Sequence, residues 1–83
     1  MEKMEKTTKV WHDKSIANME LLEAADDCGC FYCCNVFKFA DIKYVTNDAR
    51  GHTALCPHCE IDSVIPSTDK DLLTTMYMEW FTT

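Results

Sequence analysis

Eighty-three residues allow one domain, and a chain this short buries only about 60% of its unfolded surface, so its core is marginal without a staple. The formal charge is −6, with no basic stripe of the kind that neutralises phosphates, which disfavours nonspecific DNA or RNA binding. No stretch approaches the roughly 18 apolar residues of a membrane span.

Residues 1–9 alternate charge and threonine and are expected to form a flexible N-terminus. A single domain is expected over 10–83. Its first element is an amphipathic helix over 13–25, with Asp13 or Ser15 as N-cap and Ile16, Met19 and Leu22 recurring at helical spacing. Residues 11–27 carry a net charge of −4, and Asp26 and Asp27 close the helix unfavourably for its dipole. Gly29 suits the left-handed residue that stops such a helix.

Cys30-Phe31-Tyr32-Cys33 follows, and after 22 residues comes Cys56-Pro57-His58-Cys59. Two Cys-x-x-Cys pairs so separated are what a tetrahedral site needs, since Zn–S bonds of ~2.3 Å place the sulfurs about 3.7 Å apart. Cys30, Cys33, Cys56 and Cys59 are therefore the predicted metal ligands, with Zn²⁺ the expected cofactor. Binding energies of roughly 10–16 kcal/mol for a structural zinc exceed the net stability of most domains, so metal and fold are expected to form one equilibrium. Cys28 and Cys34 offer alternative sulfurs but read as small buried hydrophobes. A disulfide framework is the competing reading of six cysteines. The opening Met1 to Lys6 is charged and no apolar run of secretory length follows, which points to a reduced, cytoplasmic chain. A redox Cys-x-x-Cys lacks the βαβ context it needs.

Between the pairs, Lys43–Thr46 and His52–Leu55 read as a β-hairpin around a turn at Asn47–Gly51, with Gly51 free to take positive φ. His52 and His58 are not expected to ligate while four well-spaced cysteines are present. The zinc turns and hairpin thus span 28–65. A second amphipathic helix is predicted over 68–82, capped by Ser67 or Thr68. Leu72, Leu73, Met76, Tyr77, Trp80 and Phe81 line one side of it. Six large side chains exceed what so small a core can receive, so Trp80, Phe81, Tyr77 and Trp11 are candidates for a partner-binding face. This helix is expected to pack against the first helix and the hairpin.

The run Cys28 to Cys33, then Phe37, Asp41-Ile42 and the stretch Gly51 to Ile65 resemble a family of short bacterial and phage zinc-binding cytoplasmic proteins. The signature Thr53-Ala54-x-Cys56-Pro57-x-Cys59-x-x-Asp62-Ser63-Val64-Ile65 carries the resemblance. It implies a zinc-ribbon or treble-clef-like centre with Cys30, Cys33, Cys56 and Cys59 as ligands, and it implies no activity. The expected fold is a small α+β metal-stabilised domain, a hairpin with two zinc turns flanked by N- and C-terminal amphipathic helices.

Three functions follow as expectations. The first is a non-catalytic, zinc-stabilised protein-interaction or regulatory module, such as a phage-borne or stress-related inhibitor, partnered by another protein or by itself. The alternative is a nucleic-acid-binding zinc ribbon acting through Lys38, Lys43 and Arg50. A hydrolase is disfavoured, because four thiolates leave zinc no open position for water, and His52 with Asp48 or Asp62 makes a poor second site. Asp62 is expected to bond backbone near the second metal turn.

Overall fold

Two antiparallel sheets organise the chain in a computed structural model that describes residues 8–48 and 50–82, with the side chain of Asp48 outside the description. The elements run α1 (Lys9–Asp13), α2 (Met19–Ala25), β1 (Asp27–Cys30), β2 (Val36–Lys38), a 3-10 turn (Phe39–Asp41), β3 (Val45–Asp48), β4 (Gly51–Ala54), β5 (Val64–Ile65) and α3 (Lys70–Phe81). One sheet has the order β2-β1-β5; the other is the β3-β4 hairpin.

Of the helix expected over 13–25 only Met19–Ala25 is helical, with Asn18 rather than Asp13 or Ser15 at its N-cap. A separate short helix, α1, ends at Asp13, and a break over residues 14–18 follows it. Asn18 accounts for the break. Its buried amide donates to the carbonyls of Lys14 and Val64, at 3.1 and 2.8 Å, and accepts from the Ala54 backbone N–H at 3.1 Å. One side chain thus ties the break to β5 and β4, and Ala17 beside it takes a φ of 50°. Buried amides are retained where they are fully hydrogen-bonded, and this one outweighs the local preference for a continuous helix.

The expected frayed N-terminus falls on residues 1–7, outside those described, and on Thr8 and Lys9, which are folded. Thr8 is buried, and its hydroxyl and backbone N–H both donate to Glu79 on α3.

The hairpin lies where its residues predict, but with a shorter turn. Asp48 pairs with Gly51 and Asn47 with His52, so the pairing runs into the stretch expected to be turn, and Gly51 takes a φ of 139°.

The sequence reading made this hairpin the central β element and missed β1. Gly29, expected to stop the first helix, instead sits inside β1, paired with Val36 and Ile65. Asp26 is the residue with positive φ, 66°, at the end of α2.

Strand alternation then gives the core two sides. Cys28, Cys30 and Val64 lie in one cluster with Leu22, Phe37, Ala54 and Cys56. On the other side, Ile65 packs with Phe31, Leu73 and Met76. So α2 and α3 cover opposite sides of the sheet, where the sequence reading has them packed on each other. Gly29 permits the approach of α3, because a Cβ there would lie 2.3 Å from the Ser67 carbonyl oxygen and 2.9 Å from Leu73.

Helix α3 begins two residues later than expected. Asp69, not Ser67 or Thr68, is the N-cap, its carboxylate accepting from the backbone N–H groups of Asp71 and Leu72. A carboxylate satisfies two orphan donors and also complements the positive helix end.

Candidate metal centre

The two Cys-x-x-Cys turns have nearly the same backbone. In the first, the Cys34 N–H donates to the Cys30 carbonyl at 2.8 Å and the Cys30 N–H to the Asn35 carbonyl at 3.0 Å. In the second, the Glu60 N–H donates to the Cys56 carbonyl at 2.9 Å and the Cys56 N–H to the Ile61 carbonyl at 3.0 Å. Each turn aims the N–H of its third residue at the first sulfur, Tyr32 at Cys30 and His58 at Cys56, both at 3.3 Å. Each closes with a left-handed residue, Cys34 at φ 62° and Glu60 at φ 65°.

This repeated geometry brings the four predicted cysteines together. Cys30 Sγ lies 3.6 Å from Cys59 Sγ, and Cys33 Sγ lies 3.6 Å from Cys56 Sγ. All four sulfurs fall within 4.8 Å of one another. The edge of a tetrahedron with ~2.3 Å metal–sulfur bonds is about 3.7 Å, so the cluster has the size of a tetrathiolate metal site. In each turn the first cysteine is buried and the second half-buried.

Hydrogen bonds support the sulfurs from outside the cluster. Ser63, itself buried, places its hydroxyl 3.0 Å from Cys30 Sγ, while its carbonyl accepts from the Phe31 N–H at 2.9 Å. The Asn35 side chain donates to Cys33 Sγ at 3.3 Å. The sequence reading assigned a supporting role to Asp62. That residue is exposed, and the contact with a ligand sulfur belongs to its neighbour Ser63. A serine beside an aspartate carries no spacing signal that would single it out.

Ionisation of these thiols is in conflict without a cation. Burial, followed by the nearby Cys30 charge, pushes Cys56 up to about 11 and Cys59 higher still. For Cys33, burial opposes ionisation, but the backbone and side-chain N–H groups of Asn35 outweigh it and the pKa falls. A dication held by Cys30, Cys33, Cys56 and Cys59 would remove the repulsion and favour their thiolate forms.

Cys28 and Cys34 stand apart from the cluster. Cys28 is fully buried in the core and its thiol is pushed up to about 11, first by burial and then by Asp26 and Asp27. Cys34, expected to be a buried hydrophobe, is half-buried and serves as the left-handed residue that closes the first turn.

Neither His52 nor His58 belongs to the four-cysteine group. His58 is exposed near Phe37, and His52 is exposed on the hairpin, where its Nδ1 contacts the Asn47 side-chain oxygen. Lys38 is held by the carboxylates of Asp27 at 2.5 Å and Asp26 at 3.7 Å; Lys43, just before β3, and Arg50, at the hairpin turn, are both on the exposed surface.

The four aromatic candidates for a partner face separate into two pairs. Trp11 and Trp80 are half-buried against the second core cluster. Trp80 also stacks on His12 at 3.8 Å and donates from Nε1 to the Thr8 hydroxyl at 2.7 Å. Tyr77 and Phe81 instead meet Tyr32 of the first metal turn, with ring centroids 6.0 and 4.8 Å from it. Tyr32 was missed because its place inside a Cys-x-x-Cys turn marks it first as turn chemistry.

Among the described residues, no helix is long and apolar enough to cross a membrane. Comparison with protein-family models, with curated proteins and with solved structures finds no match, so the assignment rests on the geometry itself: the chain is a small α+β fold built around four cysteines placed to hold a metal ion.

Proposed function

We propose that the protein is a non-catalytic, zinc-stabilised interaction module of zinc-ribbon or treble-clef-like type. The observation that carries this reading is the convergence of two matching turns on one cluster of four sulfurs, all within 4.8 Å of one another. Sulfur-only tetrahedral sites select zinc or iron, and zinc is the assignment for a site whose role is to hold a fold. Four thiolates saturate the ion and leave no position for a substrate water, which favours a structural over a catalytic role. The two turns supply Cys30 and Cys56 to the first core cluster and Phe31 to the second, so a bound metal and both clusters would form one unit.

The nucleic-acid reading draws less support. Of its three cations, Lys38 already lies against two carboxylates, and the chain carries −6 overall.

The test is reversible unfolding by metal removal. A strong chelator is expected to abolish the folded circular-dichroism signal, and one equivalent of zinc per chain to restore it. A metal-free chain that melts cooperatively at the same temperature as the zinc-loaded one contradicts the reading.

A further inference from the structure

Helix α3 is apolar on two sides. Leu73 and Met76 are buried, and Trp80 is half-buried beside them. Tyr77, Met78 and Phe81, at helical three- and four-residue spacing, form a second stripe. Met78 is 57% exposed and Phe81 40% exposed. Tyr32, 43% exposed, extends the stripe onto the first metal turn. Tyr77 and Phe81 stack at 5.8 Å, and Tyr32 meets both at an edge, so the three rings form one continuous surface. Phe81 also touches buried Phe31 at 5.6 Å, which anchors the surface to the core. A preformed group of aromatic side chains with few torsions to freeze is the composition that carries binding energy at interfaces.

Charge selects the occupant. A second copy would bring another −6, and a nucleic acid would bring phosphates. Beside Tyr32, whose backbone N–H lies 3.3 Å from Cys30 Sγ, four thiolates around one dication would add a local charge of about −2. In the first turn of the same helix Asp71 is exposed, and its neighbour Lys70 has its ammonium on the Cys34 carbonyl at 2.9 Å. A cationic polypeptide is the complementary partner. Arginine suits it best, since the guanidinium stacks on aromatic faces and its aliphatic stem covers apolar surface.

We propose that the Tyr32–Tyr77–Met78–Phe81 surface docks a basic, arginine-bearing segment of another protein. This rests on the interaction-module reading and specifies its partner's chemistry.

The experiment is an amide-resolved NMR titration of the zinc-loaded full chain with three probes: a short peptide alternating arginine and leucine, the same peptide with glutamate for arginine, and an oligothymidylate. The arginine peptide is expected to shift Tyr32, Tyr77, Met78 and Phe81. Its affinity should exceed that of the glutamate peptide by about tenfold or more, and fall by a similar factor in Tyr32→Thr and Met78→Glu. Both substitutions are at exposed positions, so folding is expected to be retained.

Shifts confined to the acidic stretch around Asp26 and Asp27, equal binding of the glutamate peptide, no response to the arginine peptide, or preferential binding of the oligonucleotide at the rings would each overturn the proposal. Concentration-dependent shifts of the same four residues without any probe would identify a second copy as the occupant. That result overturns the basic partner but leaves an interaction module. Spectra recorded with and without zinc before titration test the metal reading separately.

Discussion

Cys34 and Glu60 occupy the same place in the two metal turns, each four residues after a first cysteine and each left-handed, at φ 62° and 65°. Left-handed backbone costs a non-glycine residue roughly 1–2 kcal/mol, while glycine loses about 0.5–1 kcal/mol in the unfolded chain's favour. Glu60→Gly, at an exposed position, should therefore keep the metal and leave stability unchanged or raise it by up to about 1 kcal/mol. Cys34→Gly should also keep the metal, whereas Cys34→Val, β-branched in a left-handed position, should lower the midpoint of chemical unfolding. Loss of metal in Cys34→Gly would make Cys34 a ligand.

Gly29 offers a second test of the packing. Its missing side chain lets the Ser67 carbonyl and Leu73 approach β1 from the α3 side. Gly29→Ala places a carbon where backbone already lies, and the shift required should cost about 1–3 kcal/mol. Denaturant unfolding of the zinc-loaded variant measures it, with metal content unchanged.

Trp80 joins the two ends of the described chain by stacking on His12 and donating to Thr8. Trp80→Phe should retain part of the stacking and lose the hydrogen bond, at about 1 kcal/mol. Trp80→Ala should cost more, toward the ~3 kcal/mol of a large core truncation. Both losses are to be read from thermal unfolding with zinc saturated. Equal stability of Trp80→Ala and the parent would return Trp80 to the candidate binding face.

Ser63 touches the buried sulfur of Cys30 through its hydroxyl alone, so Ser63→Ala removes one hydrogen bond and leaves the backbone contact to Phe31. Losing an outer hydrogen bond to a metal ligand costs roughly 10–100-fold in affinity. Competition with a chromophoric chelator is expected to show that drop without a change in the circular-dichroism spectrum.

The four-cysteine cluster was legible because Cys-x-x-Cys spacing fixes geometry locally, and both turns came together as the spacing predicts. The hairpin and α3 were legible from turn chemistry and helical periodicity. Four features were not. Strand β1 reads Asp-Cys-Gly-Cys, with no alternation to mark it, and β5 has only two residues. The break after α1 depends on Asn18 reaching Val64 and Ala54, a long-range bond that local propensity cannot register. The outward face of α3 has the same residue types as its inward face, and only the placement of Tyr32 beside Tyr77 and Phe81 distinguishes them.

The central claim is that Cys30, Cys33, Cys56 and Cys59 hold one zinc ion and that the fold depends on it. Native mass spectrometry with elemental analysis tests it most directly, applied to the parent chain, Cys30→Ser, Cys59→Ser and Cys28→Ser. The account predicts one zinc per parent chain and one per Cys28→Ser chain. In the Cys30 and Cys59 variants it predicts loss of zinc together with the compact charge-state distribution. Stoichiometric zinc in a compact Cys30→Ser or Cys59→Ser chain would contradict it.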